Sequence, residues 1–218
     1  GGDTVIGTNA VAKAAPDGQT LLVTTDSFLV NHWVLSDLPY DSLKDFTLIA
    51  PLAYSEFVFT VNPSVPAKTI QEFITYAKAN PDKLNVGVAS LLGELSIQRF
   101  MNASGTRFTI VPYKGTPPAM TDLAAGTIQL SLFSVLGVKP LITAGKLKGL
   151  AVTGDRRDSL LPEVPTFAES GVAGFDLTWP LQFPFLAPGK TPQEIIGKLN
   201  AEVRRALAEP EIATAMVN

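Results

Sequence analysis

The sequence predicts an α/β fold, in which short buried strands alternate with amphipathic helices. The stretch Thr109–Ser134 shows this pattern most clearly. It reads as an apolar strand, a turn, a short helix that ends at Gly126, and a second apolar strand. Two capping boxes, in which a Thr is followed three residues later by a Glu, open further helices at Thr69 and Thr191. Strands that alternate with such helices are typical of α/β proteins.

Composition limits the classes of protein that the sequence can encode. The 218 residues suffice for one large α/β domain or two small ones, and the 46% apolar content indicates a packed globular chain. A net charge of −3 without basic runs predicts no nucleic-acid partner. The absence of Cys excludes thiol nucleophiles, thiolate zinc sites and disulfides. The chain opens on Gly1-Gly2 without a signal peptide, so a processed or truncated form is expected.

The elements before residue 67 are one helix and three strand-like segments. They are a helix at Val5–Ala14, a strand at Gln19–Thr24, an apolar run at Thr47–Ala53 and a strand at Phe57–Val61. Turn chemistry at Ala15–Gly18 stops the helix. Pro63 and Pro66 follow the last strand and indicate a boundary between two lobes.

The rest of the chain repeats strands and helices. The predicted elements are a helix from Ile70 to Asn80, a strand at Leu84–Ala89, a turn at Ser90–Gly93, a helix at Glu94–Ala103, a strand at Ile110–Val111, a helix from Pro117 to Gly126, strands at Ile128–Phe133 and Lys148–Thr153, a short helix at Thr166–Ser170, an extended segment at Phe175–Ala187 and a helix from Gln193 to Pro210. The two strands of the central unit are expected to be parallel neighbours with a right-handed crossover.

The carboxyl ends of the central strands are the predicted ligand-binding edge, because open α/β sheets bind ligands there. The loops at this edge are Tyr113–Thr116 and Phe133–Val135. The helix that starts at Pro117 directs free N–H groups toward the same edge, which favours an anion.

With these segments placed, the chain resembles a known family: the periplasmic solute-binding proteins of tripartite tricarboxylate transporters, or Bug-type receptors. The matching motifs run in the family's order over essentially the whole chain. They are Val11–Gly18 (VAKAAPDG), Leu38–Asp41 with Lys44–Phe46, Val61–Pro66 (VNPSVP), Val111–Gly115 (VPYKG), Ala151–Thr153, Pro162–Thr166 (PEVPT) and Ala187–Pro188 with Thr191–Pro192.

The resemblance implies a bilobal, periplasmic-binding-protein-like fold of type II. Its two α/β lobes would comprise residues 1–60 with 179–218, and residues 61–178, with the first strand-helix unit of lobe 1 missing. Hinge crossings near Val61–Pro66 and Thr178–Phe185 would let the lobes close. The implied function is capture of a small carboxylate in an interlobe cleft and delivery to membrane permease subunits. No cofactor, no chemistry, a periplasmic location and a monomeric full-length form are implied as well.

Two departures from the family's pattern bear on the ligand. Ser90 and Leu92 stand where the family usually has glycines, and Phe133 stands where an acidic residue is common. Leu92 in place of a glycine and Phe133 in place of an acid predict a less polar cleft than in relatives. An aromatic or longer aliphatic acid is therefore expected as ligand rather than an amino acid, since the amino group would lose a partner.

Nine residues are candidate ligand contacts, and none is a candidate catalytic or metal-binding residue. They are Thr25, Ser27, Ser90, Leu91, Leu92, Gly93, Gly115, Phe133 and Ser134. Ser90–Gly93 precedes a helix, so its backbone N–H groups can bind a carboxylate whatever the side chains are. Asp26 beside an anion would cost Coulomb energy. Lys114 is expected to be a surface residue, and Trp33 and Trp179 either pack or line the mouth of the cleft.

Two other classes of protein remain open at this stage. One is the effector-binding domain of a transcription regulator, although no basic helix-turn-helix occurs in the sequence. The other is a hydrolytic enzyme that uses the same cleft. His32 is the only histidine, and the chain contains no Gly-x-Ser-x-Gly, His-Glu-x-x-His or Walker pattern, so a non-catalytic role for His32 is favoured.

Overall fold

A computed structural model describes residues 4–172, 175 and 180–217 of the chain. The helices are α1 (Val5–Ala12), α2 (Ser27–Val34), α3 (Ile70–Ala79), α4 (Leu91–Ser104), α5 (Thr116–Ala125), α6 (Val135–Thr143), α7 (Gln193–Ala208) and α8 (Pro210–Val217). The strands are β1 (Leu22–Val23), β2 (Phe46–Ser55), β3 (Phe57–Val61), β4 (Asn85–Val88), β5 (Thr109–Pro112), β6 (Leu130–Ser134), β7 (Lys148–Val152) and β8 (Leu181–Pro188).

The chain divides into two compact units, each of which combines a sheet with helices. Unit 1 comprises Gly1–Tyr54 with Leu181–Asn218, and unit 2 comprises Ser55–Pro180. The sequence placed the first boundary between residues 60 and 61. The structure places β3 in unit 2 instead, because β3 pairs with β6 on one side and with β7 on the other. The predicted hinge segment Val61–Pro66 therefore lies inside unit 2, and residues 178 and 179 of the second hinge segment lie outside the described residues.

The sheet of unit 2 has the strand order β5-β4-β6-β3-β7. Strand β4 is parallel to both β5 and β6, and β3 is antiparallel to its two neighbours. The prediction that β5 and β6 are neighbours is wrong, because β4 lies between them. Three successive residues of β4, Val86, Gly87 and Val88, are all buried, which suits a central parallel strand whose two faces are covered.

Apolar clusters cover both faces of the unit 2 sheet. Successive residues of β3 point to opposite faces. Phe59 packs into an aromatic cluster on one face, whereas Val58 packs against the other cluster. The Phe59 ring lies 4.7 Å from that of Phe100, which has no exposed surface. The aromatic residues of this cluster are Phe59, Phe73, Phe100, Phe108, Phe167 and Phe175.

Unit 1 contains the three-stranded sheet β1-β8-β2. Strand β1 is antiparallel to β8, with Leu22 opposite Leu186. Phe28 of α2 packs against these two residues, and Ile196 of α7 packs in a second small cluster. Unit 1 is therefore held by two modest apolar clusters rather than by one large core.

Some predicted elements differ from the structure. Helices α2 and α6 were not predicted, since their sequences are apolar on most sides and lack a polar stripe. In the predicted helix Thr166–Ser170, Thr166 forms an isolated β-bridge with Val152, and the following residues form turns instead of a helix. At Thr69 half of the capping box is formed, because the Thr69 side chain accepts the Glu72 N–H while the Glu72 carboxylate accepts the N–H of Lys68 rather than that of Thr69; the second capping box is not formed. Pro192 is the N-cap of α7, and the Thr191 hydroxyl has no hydrogen-bond partner in the described part of the chain.

Candidate functional site

The carboxyl edge of the unit 2 sheet brings five chain segments together. We use this name for the edge at which β4, β5 and β6 end at Val88, Pro112 and Ser134. Because β3 is antiparallel to β6, its first residue Phe57 lies opposite Ser134. Strand β7 also ends at this edge, at Val152 opposite Val58. The loops that precede or follow these residues are therefore neighbours, as the predicted ligand-binding edge requires.

Helix α4 begins at the carboxyl edge directly after β4. The Ser90 side chain is its N-cap and accepts the Gly93 N–H at 3.1 Å. The predicted turn at Ser90–Gly93 is thus the cap and first turn of the helix. In the described part of the chain, the Leu92 N–H has no hydrogen-bond partner. A donor at the positive end of the helix dipole is therefore left for an anion.

Helix α5 offers fewer donors than the sequence suggested. Gly115, whose φ is 153°, is the N-cap, and the helix starts at Thr116 rather than at Pro117. Pro117 and Pro118 follow, and neither carries an N–H group. The loop before α5 is anchored by Tyr113, whose hydroxyl donates to Asp122 at 2.7 Å. Burial and this hydrogen bond raise the pKa of Tyr113 to about 12, so it remains a neutral donor.

Helix α6 has its first donors occupied by the protein itself. The Val135 N–H donates to the Glu56 carbonyl at 2.8 Å, and the Leu136 N–H reaches the Ser55 hydroxyl at 3.4 Å. Ser55 also shares a hydrogen bond of 2.9 Å with Ser134. The side chain of Phe133 is 4% exposed and packs in the core. Phe133 and Ser134, the two candidates at this strand end, therefore make their contacts within the protein. Because the Phe133 side chain is buried, it adds apolar contacts to the core but little apolar surface to the carboxyl edge.

Sequence reasoning missed an acid at this edge. Glu56 is the one residue between β2 and β3, and its carboxylate accepts the Thr153 hydroxyl at 2.6 Å. Thr153 in turn accepts the Phe57 N–H at 2.9 Å. Burial raises the pKa of Glu56, while the hydrogen bond from Thr153 lowers it in part. A check of the polar residues that flank each predicted strand would have found both Glu56 and Thr153.

The backbone around Glu56 leaves room for this carboxylate. Gly154 has a φ of +88°, and a Cβ there would lie 2.8 Å from the Glu56 carboxyl carbon. No Lys or Arg of the described chain forms an ion pair with Glu56. The edge therefore holds an acid, whereas the expectation of a less polar site was based on Phe133.

Candidates in unit 1 lie around a groove between α1, β1 and β8. This cavity has a volume of about 610 Å³ and is lined by Ile6, Leu22, Val23, Thr25 and Phe183 among others. Thr25 lines the groove, while Ser27 is buried in the first turn of α2. His32 contacts the ring of Trp33, which is 78% exposed. Trp179 lies outside the described residues.

Two properties of the described residues bear on function. They contain no group of three or more His, Asp or Glu side chains placed to hold a metal ion. Within the same residues, every helix is too short or too polar to cross a bilayer.

The family is shown by a direct match. The family described as "Tripartite tricarboxylate transporter family receptor" (TctC) matches residues 1–218. A protein in the tcbD-tcbE intergenic region of Pseudomonas sp. strain P51 is 34% identical over 97% of this chain and 63% of its own length. BugT of Bordetella pertussis is 31% identical over 97% of this chain and 65% of its own length. The chain belongs to this family, which confirms the resemblance, and it spans just under two thirds of these curated relatives.

Solved structures of relatives confirm the fold class, that of two-lobed periplasmic binding proteins. Rpa4515 of R. palustris with adipate superposes with a TM-score of 0.90, at 34% identity, over 97% of this chain and 71% of that one. MatC of Rhodopseudomonas palustris with bound malate has a TM-score of 0.90 at 30% identity, over 100% of this chain and 75% of that one. The periplasmic binding protein BugD also has a TM-score of 0.90, at 30% identity, over 99% and 72%.

Proposed function

We propose that this chain is the ligand-binding part of a periplasmic solute receptor, which captures a small dicarboxylate and delivers it unchanged to the permease of a tripartite transporter. The family match over residues 1–218 supports the receptor class and the transporter partner. Two relatives carry the dicarboxylates adipate and malate, which supports the ligand class. The longer aliphatic acid that the sequence favours is represented among them by adipate.

The observation that carries the proposal is the open first turn of α4. The Ser90 side chain accepts the Gly93 N–H. The Leu92 N–H, which lies at the carboxyl edge, therefore has no partner in the described chain. A carboxylate at a helix N-terminus gains about 0.3–1 kcal/mol from the dipole when exposed, and up to about 2 kcal/mol when partly buried. Binding through the backbone also explains how Leu92 can occupy a position where the family resemblance predicts Gly.

The two other classes that the sequence left open gain no support from the relatives. The matched structures are those of a periplasmic transporter and of periplasmic binding proteins. A receptor needs no catalytic group. Recovery of the ligand without chemical change after prolonged incubation is therefore part of the expected result.

The test is a calorimetric titration of the purified protein with adipate, malate, benzoate and aspartate. One dicarboxylate is expected to bind one-to-one, and at about a hundred times Kd it should add roughly 2.7 kcal/mol to the free energy of unfolding. Leu92→Pro removes the backbone donor, so it should weaken binding about tenfold, or roughly 1.4 kcal/mol. Leu92→Ala keeps the donor and serves as the matched control, with binding close to that of the unaltered protein.

The proline variant is compatible with a folded helix, because α5 already carries Pro117 and Pro118 in its first turn. Circular dichroism would check that both variants keep their helical content. Failure of every acid to bind, or recovery of a chemically altered acid, would overturn the receptor function. Equal loss of affinity in the two Leu92 variants would overturn only the proposal that the Leu92 N–H binds the carboxylate.

A further inference from the structure

Glu56 is held from both sides, through its backbone on one and through its carboxyl group on the other. On the β6 side, its backbone carbonyl accepts the Val135 N–H at 2.8 Å. On the β7 side, its Oε2 accepts the Thr153 hydroxyl at 2.6 Å, and Thr153 is fixed by the Phe57 N–H. Gly154 provides the space for the carboxyl group, since a Cβ at that position would overlap it. The side chain is therefore a fixed feature of the carboxyl edge rather than a mobile surface acid.

The same carboxyl group is only partly satisfied. Its Oε1 has no hydrogen-bond partner, and no cation pairs with it, among residues 4–172, 175 and 180–217. Ionised groups that are partly desolvated lose free energy unless they are paired or hydrogen-bonded. A carboxyl group that the fold positions but leaves incomplete is suited to complete its bonding with a ligand.

We propose that Glu56 is a specificity-determining residue. Its Oε1 forms a hydrogen bond with the second polar group of a ligand whose first carboxylate binds the N-terminus of α4. This assignment rests on the proposed receptor function. The ligand's far end then decides whether Glu56 acts as an acceptor or, with a proton bound, as a donor.

Strand spacing supports a ligand of this kind. Helix α4 follows β4, Glu56 precedes β3, and β6 lies between these two strands. Neighbouring strands are about 4.8 Å apart, so the two groups are separated by roughly 10 Å along the edge. A hydrogen bond of about 2.8 Å at each end leaves roughly 4–5 Å for the ligand. This separation suits a four-carbon dicarboxylate, or a longer one such as adipate in a bent conformation.

The chemistry of the far end follows from charge. An ionised Glu56 accepts a hydrogen bond from a hydroxyl, an amide or an ammonium group, but it repels a second carboxylate. A second carboxylate binds when one proton from solvent enters the site and bridges the two carboxyl groups. The proton is released to solvent when the ligand leaves, so no other reactant is needed.

The surroundings of Glu56 favour uptake of this proton. Burial, followed by the nearby Asp158 and Asp155, raises its pKa, whereas the Thr153 hydrogen bond and Arg156 lower it. The backbone carbonyl of Glu56 accepts hydrogen bonds from the Ser55 hydroxyl and the Val135 N–H, and neither residue titrates. The net direction is upward, so the site binds a proton more readily than an exposed glutamate does.

Calorimetry with adipate and its monoamide tests the assignment, because the amide has no charge at its far end. Titrations at neutral pH, in two buffers of different ionisation enthalpy, are expected to show uptake of nearly one proton with adipate and none with the monoamide. The Kd for adipate should rise by up to tenfold per pH unit above the pKa of Glu56. The Kd for the monoamide should stay within about twofold.

Three variants complete the experiment. Glu56→Gln keeps an oxygen to accept the Thr153 hydroxyl, and it should abolish both proton uptake and the pH dependence for adipate. Thr153→Val removes a bond that lowers the pKa of Glu56, so the pH at which adipate binding weakens should move upward. Glu163→Gln makes the same change in charge at an exposed position and should behave as the unaltered protein.

Adipate binding without proton uptake, or with the same pH profile in Glu56→Gln, would overturn the assignment while leaving the receptor function intact. A Glu163→Gln variant that also loses proton uptake would overturn it as well. Absence of binding by both adipate and the monoamide would overturn this assignment, and the receptor function would be overturned only if malate, benzoate and aspartate also failed to bind.

Discussion

Replacing Thr153 with Val should destabilise unit 2 by more than the loss of one hydroxyl group usually does. Thr153 is 2% exposed, and its hydroxyl links the Phe57 N–H to the Glu56 carboxylate. Val has nearly the same shape, so the substitution leaves no cavity. It leaves the Phe57 N–H without an acceptor and Glu56 without its donor.

The magnitude follows from the two lost hydrogen bonds. An ordinary hydrogen bond contributes about 1 kcal/mol net, and a buried donor left unpaired costs about 1–3 kcal/mol. Water can partly replace the bond to Glu56, because that side chain is only half-buried. The expected loss in the free energy of unfolding is therefore about 2 kcal/mol.

Thr60→Val is the matched control. Thr60 is fully buried in the same sheet, but its hydroxyl makes a single hydrogen bond, to the Ser131 carbonyl at 2.9 Å. Its expected cost is about 1 kcal/mol. Urea unfolding followed by far-UV circular dichroism, with unchanged m-values, would measure both variants. A Thr153→Val protein that is no less stable than Thr60→Val would refute the claim that Thr153 links two partners.

Three further changes test the same region and the core. Gly154→Ala places a Cβ against Glu56 at a positive φ and should cost about 1–3 kcal/mol by urea unfolding, whereas Gly137→Ala, with open space around it in α6, should be neutral or slightly stabilising. Phe100→Ala should cost about 3–5 kcal/mol, because a fully buried ring leaves the aromatic cluster; a loss below 1 kcal/mol would contradict the packing. Glu56→Gln and the unaltered protein should be equally stable well below pH 4.5, and the variant should be the more stable of the two as pH rises through the raised pKa of Glu56, because only the unaltered protein must ionise a half-buried group. A stability difference that is constant with pH would contradict this.

Much of unit 2 follows from local sequence signals. The capping box at Thr69 fixes the start of α3, and Gly126 in the left-handed conformation, with a φ of 81°, fixes the end of α5. Such signals depend on a few adjacent residues, so contacts between distant segments do not alter them. The strand order does not follow from them, because the choice of β4 rather than β5 as the neighbour of β6 is made by contacts between distant segments.

Unit 1 was harder to predict for a related reason. Helix α2 is eight residues long and apolar over most of its surface, so its sequence lacks the polar stripe that marks an amphipathic helix. Strand β1 has only two residues, which is too short for a recognisable alternation of apolar and polar side chains. Both are set by packing against Leu186 of β8, from a segment more than 150 residues away in the chain.

The predicted anion-binding site at the helix N-termini illustrates what a sequence pattern leaves undecided. Three helices start at the carboxyl edge, and by the dipole alone all three would attract a carboxylate equally. The first two α6 donors are taken by Ser55 and Glu56, and α5 has lost two donors to prolines. Among the three helices, α4 alone has a side-chain cap, and its Leu92 N–H is unpaired in the described chain. A helix start therefore indicates an anion site only after each of its N–H groups has been assigned a partner, and that assignment needs the neighbouring strands that the sequence alone does not order.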